Sequence, residues 1–82
     1  MDRNGHRWQI AILLYPGVTA LDAVGPYEVF SRMPNIEIRF VGKEIEPVTT
    51  EGGALLLAAT HTIAETPSPD LVLIPGGTDD TE

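Results

Sequence analysis

An α/β fold, built on a mostly parallel sheet of the doubly wound kind, is predicted by two unbroken apolar runs and by the order of the segments between them. Trp8 to Tyr15, WQIAILLY, and Leu71 to Ile74, LVLI, are apolar at nearly every position. Each stops at a proline followed by glycine, Pro16-Gly17 in the first case and Pro75-Gly76-Gly77 in the second. Short bounded runs of this kind mark strands covered on both faces, which parallel sheets use. Between them the order helix, strand, hairpin places the chain with α/β sheets.

Strand one spans Trp8 to Tyr15. In the segment that follows, Leu21, Val24, Tyr27 and Phe30 recur every third residue and predict a helix with those side chains along one side. Pro26 fixes where that helix begins, because proline is tolerated at a first helical position and disruptive in the interior. The expected helix is therefore Pro26 to Met33, with Asp22 in the connection ahead of it. IEIRFV, Ile36 to Val41, alternates strictly, so Ile36, Ile38 and Phe40 face one way and Glu37 and Arg39 the other. That pattern predicts a half-exposed strand near a sheet edge.

Pro47 to Thr50 and Ala54 to Leu57 flank Glu51-Gly52-Gly53, whose glycines suit the positive φ of a short hairpin turn. His61 to Thr66 predicts one helical turn, and the prolines of Pro67-Ser68-Pro69-Asp70 a spacer before the second buried strand, Leu71 to Ile74. The sum is an incomplete doubly wound, flavodoxin-like sheet with a β-hairpin excursion. It forms one portion of a domain over residues 1–82, with a flexible start at 1–7 and a frayed end at 78–82. A complete domain of this type needs on the order of 100 to 200 residues, and one helix cannot cover both faces of its sheet. The organisation therefore reads as the amino-terminal portion of a larger domain.

Composition narrows the chemistry. A chain of 82 residues buries only about 60% of the surface its unfolded form exposes, so its core is thin. There is no cysteine, and the histidines are His6 and His61. That leaves no disulfide, no thiolate nucleophile and no histidine pair at metal-ligand spacing, so neither a metal nor a cofactor is expected. The net charge is −7, and residues 44–82 carry eight acidic side chains and no Lys or Arg. Direct nucleic-acid binding by this segment is excluded on that ground, since phosphate contacts need clustered cations. No apolar run reaches the roughly 18 residues of a membrane span, and Met1 to Arg7 lacks the apolar stretch of a signal peptide. A cytoplasmic location is expected.

If the two apolar strands are parallel neighbours, the loops leaving their carboxyl ends share the edge where open α/β sheets bind ligands. Asp22 and the pair Gly76-Gly77 then come together. A carboxylate there can position water or exchange a proton, and the diglycine can present backbone N–H groups to an anion. Each has a plainer reading: Asp22 as a helix-start acceptor for the N–H of Val24 or Gly25, and Pro75-Gly76-Gly77 as a turn. Glu28, expected on the first helical turn, either reaches the same crevice or complements the helix dipole. Neither His6 nor His61 is assigned a role. The serines, Ser31 and Ser68, lie outside any nucleophile-elbow pattern, so no nucleophile is identifiable.

IAILLYPGVTALDAVGPYEVF, TTEGGALLLAATHTIAE and PDLVLIPGG together resemble the amino-terminal part of the ThiJ/PfpI superfamily. The similarity is strongest to its isonitrile hydratase branch and to the sensor-like domains joined to AraC-type regulators. The resemblance implies a fold like that of class I glutamine amidotransferases, a small-molecule substrate or ligand, and a homodimer. It also implies that the acidic residue at Asp22 lies beside a cysteine on a strand-to-helix elbow, a residue beyond Glu82. Asp22 would position water or shuttle a proton, while the N–H groups around Gly76 and Gly77 would steady an anionic intermediate. Asp79 and Asp80 depart from the pattern, because relatives often continue with another glycine there and these charges oppose an anion. Three functions stay open: an isonitrile hydratase represented by its amino-terminal part, a ligand-sensing domain of a regulator, and a truncated product without function.

Overall fold

The computed structural model describes residues 7–78. The elements run β1 (Trp8–Leu13), α1 (Ala20–Phe30), β2 (Ile36–Gly42), β3 (Val48–Thr49), β4 (Leu56–Leu57), β5 (His61–Thr62), a 3-10 turn (Ile63–Glu65) and β6 (Leu71–Leu73). Four strands form a parallel sheet in the order β5-β2-β1-β6, and β3-β4 is a separate antiparallel hairpin. His6, Asp79 and Asp80 lie outside the described residues, as do the predicted flexible start and frayed end apart from Arg7 and Thr78.

Strand β1, which opens the apolar run from Trp8 to Tyr15, is central. It pairs with β2 on one side, Trp8 opposite Ile36 through Leu13 opposite Val41, and with β6 on the other, Ile10 opposite Leu71 through Ile12 opposite Leu73. Ile10, Ala11 and Ile12 are buried and, with Leu14, Val18, Ala23 and Ala59, supply most of the core. The strand ends at Leu13, short of the predicted Tyr15, yet the Leu14 N–H still donates to the Val41 carbonyl. Pro16 and Gly17 then turn the chain; Gly17 takes φ 90°, a region where a Cβ is costly.

The helix departs from expectation. It starts at Ala20 instead of Pro26, so Asp22 lies in its first turn and Pro26 in its interior. Proline there has no N–H for the Asp22 carbonyl, a defect worth up to about 3 kcal/mol in an isolated helix. Packing outweighs propensity: Ala23 is fully buried, Phe30 packs against the core, and the Tyr27 ring lies 5.3 Å from that of Phe40 at 53°. Leu21 is 76% exposed, so the every-third-residue pattern named the wrong side at that position. Glu28 falls near the end of the helix, where it pairs with exposed Arg32 at 3.1 Å and reaches no crevice. Asn35 closes the connection at φ 60°, a conformation asparagine tolerates.

Strand β2 lies near the sheet edge as predicted, half-buried from Ile36 to Phe40, and the outer strand β5 pairs with it only at Val41 and Gly42. Its polar side has partners. Arg39 pairs with Glu37 at 2.8 Å and donates to the Glu65 carbonyl at 2.8 Å, which fastens the 3-10 turn over the strand. That turn starts with a capping box in which Thr62 accepts from the Glu65 N–H and the Glu65 carboxylate from the Thr62 N–H. The hairpin forms as expected, with Val48 opposite Leu57, Thr49 opposite Leu56 and Gly53 at φ 87°. Strand β6 is parallel to β1 as predicted but is not buried. Leu71 and Val72 are 44% and 51% exposed, as is Ile74 just after the strand at 70%, because no described element covers the faces of the sheet at this edge.

Two expectations follow. Ile12 is fully buried and Leu21 exposed, so Ile12→Ala should cost about 2–5 kcal/mol and Leu21→Ala under about 0.5 kcal/mol, read from urea transitions. Glu37, held down by its Arg39 hydrogen bond, and Glu65, by the Thr62 backbone, both have pKa values below the ordinary 4.5. The stability they contribute is present above pH 4.5 and is lost as pH falls through their lowered folded values. Glu65→Gln should make the acid limb of a stability–pH profile shallower.

Candidate functional site

The chain leaves β1 towards β2 and β5 and then returns to the other side of β1 as β6. The strand order reverses between β1 and β6, and crevices of open α/β sheets lie outside the carboxyl ends of such a pair. The loop Tyr15 to Thr19 and the loop Ile74 to Thr78 meet there in an antiparallel bridge, Val18 opposite Gly77. The Thr19 N–H donates to the Gly76 carbonyl at 2.8 Å and the Thr78 N–H to the Gly17 carbonyl at 3.0 Å. A Cβ on Gly77 would come within 2.5 Å of the Gly17 carbonyl oxygen and 2.9 Å of the Tyr15 hydroxyl. Only glycine lets these backbones approach so closely.

Asp22 faces this bridge from the first turn of α1. Its Oδ2 lies 3.1 Å from the point a Cβ on Gly76 would occupy. The fold thus brings together the three residues that the sequence singled out, although Asp22 arrives on the helix and not in the connection. Among the described residues nothing donates a hydrogen bond to the Asp22 carboxylate, so the predicted bond from Val24 or Gly25 is not made. The N–H groups of Gly76 and Gly77 likewise meet no acceptor among the described residues. A cavity of about 310 Å³ adjoins Asp22 and Gly76, walled also by Leu21 and Pro26 of α1 and by Leu73, Ile74 and Pro75 at the end of β6.

Three supporting residues were not legible in the sequence. The Tyr15 hydroxyl donates to the Pro75 carbonyl at 2.5 Å. Thr19, at the helix N-cap, turns its hydroxyl to Glu51 of the hairpin at 2.8 Å instead of capping the helix. Glu51 also donates its N–H to the Val18 carbonyl at 2.8 Å, and the Gly17 N–H donates to Thr49. These bonds span more than 30 residues, beyond the reach of any local pattern. A larger cavity of about 470 Å³ lies between the ends of β1 and β2 and the hairpin, lined by Leu14, Tyr15, Gly42, Lys43, Glu44 and Val48 among others. It contains neither Asp22 nor the diglycine, so size alone does not mark the site. His61 bonds to neighbouring Thr60 at 2.9 Å. No group of three His, Asp or Glu among the described residues could hold a metal ion, and none of their helices is long and apolar enough to cross a membrane.

Residues 8–82 match the DJ-1/PfpI family. The chain belongs to that family. It is 41% identical over 69 residues to an isonitrile hydratase of Pseudomonas putida, covering 84% of this chain and 30% of the relative. A ThiJ/PfpI family protein of Pseudomonas syringae superposes with a TM-score of 0.82 at 39% identity, over 89% of this chain and 30% of that one. An AraC family transcriptional regulator from Pseudomonas putida shares the fold with a TM-score of 0.70 at 18% identity, over 87% of this chain and 48% of that one. The chain thus spans about 30% of the length of the hydratase and of the Pseudomonas syringae structure.

The two glycines should respond differently to a methyl group. Gly77→Ala forces backbone against backbone and should cost about 1–3 kcal/mol. Gly76→Ala meets only the movable Asp22 carboxylate and should cost less, while displacing that carboxylate. Thermal denaturation of the two variants, with a structure of Gly76→Ala, checks both.

Proposed function

We propose that this DJ-1/PfpI chain is the amino-terminal part of an enzyme of the isonitrile hydratase type, converting an isonitrile and water to an N-substituted formamide. The observation that carries the reading is the 41% identity to an isonitrile hydratase across 84% of the chain. The site's geometry suits that chemistry. An isonitrile carbon is electrophilic but weakly so, and a thiolate is the nucleophile suited to it. This chain has no cysteine, so the thiolate belongs to sequence beyond Glu82, where a strand-to-helix elbow would lower its pKa.

Addition of the thiolate forms a C–S bond and puts negative charge on the isonitrile carbon, which takes a proton to give a thioimidate. Water then adds to that carbon, and expulsion of the thiolate leaves R–NH–CHO. Asp22 is the residue assigned to hold the water and pass the protons, since its carboxylate is unengaged among the described residues and borders the cavity. The N–H groups of Gly76 and Gly77 are assigned to the transient negative charge. A cytoplasmic homodimer acting on a small molecule, without cofactor, metal, nucleic acid or membrane, completes the reading. The AraC-type regulator supports the architecture alone; in a sensing domain the same crevice would bind a ligand without turning it over.

The test uses the protein expressed from its whole gene, with formamide production from an aliphatic and an aromatic isonitrile followed by chromatography. Hydration by the wild type, with kcat lowered about 10²–10⁴-fold in Asp22→Asn at unchanged circular dichroism, is expected. A wild type that binds isonitriles without hydrating them would favour the sensor.

A further inference from the structure

We propose that Tyr15 is a positioning residue that sets the direction of the Gly76 N–H by clamping the carbonyl of Pro75. The inference rests on the hydratase reading for its chemical value and on the geometry of one peptide group for its substance. A peptide unit is planar and trans, so its carbonyl oxygen and its N–H point in opposite directions and turn together. The carbonyl of Pro75 and the N–H of Gly76 belong to one such unit. The Tyr15 hydroxyl holds that oxygen at 2.5 Å, and the Gly76 N–H is thereby turned away from Tyr15.

The neighbouring unit is held in the same way. The Gly76 carbonyl accepts from the Thr19 N–H at 2.8 Å, and this orients the Gly77 N–H. Two successive glycines would otherwise leave both planes free to rotate, since no Cβ restrains φ. The two clamps differ in kind. The second is a backbone bond fixed by the bridge between Val18 and Gly77. The first depends on a single side-chain oxygen. Tyr15 is suited to that task because its ring is packed against the core cluster while its hydroxyl reaches the loop.

A donor aimed at charge that develops in the transition state acts on kcat more than on ground-state binding. Tyr15→Phe removes one oxygen and leaves the ring in place, so the fold should persist. In the whole gene product, kcat for isonitrile hydration should fall about tenfold, less than the 10²–10³ for outright loss of a donor, with KM changed less than about twofold. Amide ¹⁵N relaxation supplies a readout independent of activity. The order parameter of Gly76 should fall from about 0.85 to below about 0.6 in Tyr15→Phe, while that of Gly77 stays near its wild-type value.

An unchanged Gly76 order parameter overturns the clamp whatever the kinetics show. A loosened Gly76 with unchanged kcat in an active enzyme overturns its part in the reaction. A wild type inactive on isonitriles removes the hydratase reading and leaves the order parameters to decide the clamp.

Discussion

The bridge between Val18 and Gly77 is the contact on which the rest of the structure depends. It joins the loop leaving the central strand to the loop leaving β6, across nearly the whole length of the chain, with Val18 fully buried beneath it. A pair of parallel strands has no short connection of its own, so nothing local holds their carboxyl ends in register. Here the loops themselves continue the sheet for one antiparallel step, and Gly77 permits it because any larger residue would collide with the Gly17 carbonyl. The hairpin is drawn into the same junction through Glu51 and Thr49. The loop Tyr15 to Thr19 therefore shares hydrogen bonds with two distant parts of the chain, the hairpin and the loop after β6.

The helix illustrates how such a junction overrides local preference. Read alone, Pro26 belongs at a helix start, and the segment before it at a loop. Once Thr19 is held by Gly76 and Glu51, the chain direction at Ala20 is fixed, and the helix begins there with a proline in its interior. The burial of Ala23 and the packing of Tyr27 and Phe30 offset the missing hydrogen bond. A functional consequence follows. Asp22 is carried on the first turn, where the helix dipole favours its charge, and the turn presents it to the diglycine.

Much of the architecture was legible from periodicity and punctuation. The apolar run at Trp8, the alternation from Ile36, the hairpin around Gly52-Gly53 and the last short strand each appear where the residues indicate. The two apolar strands are neighbours and parallel, which brings Asp22 to Gly76. Two of the errors share one cause. Leu21 and the strand from Leu71 carry apolar side chains that a local pattern assigns to a core, but burial depends on what lies across from them, and the described residues place nothing there. Glu28 was misplaced because its position on the helix follows from the helix start, which Pro26 misassigned.

The amino-acid sequence by itself determined the parallel α/β class, the family resemblance, the choice of Asp22, Gly76 and Gly77, and every element type except β5, which it read as part of a helical turn from His61. All of these rest on short-range patterns or on motifs a few residues long. Tertiary structure alone decided where α1 begins, which apolar residues are covered, and that Tyr15, Thr19 and Glu51 brace the crevice. Those outcomes depend on hydrogen bonds between groups 30 to 60 residues apart. Such bonds leave no periodic trace, because a hydroxyl or carboxylate finds its distant partner only after the sheet has brought the two loops together.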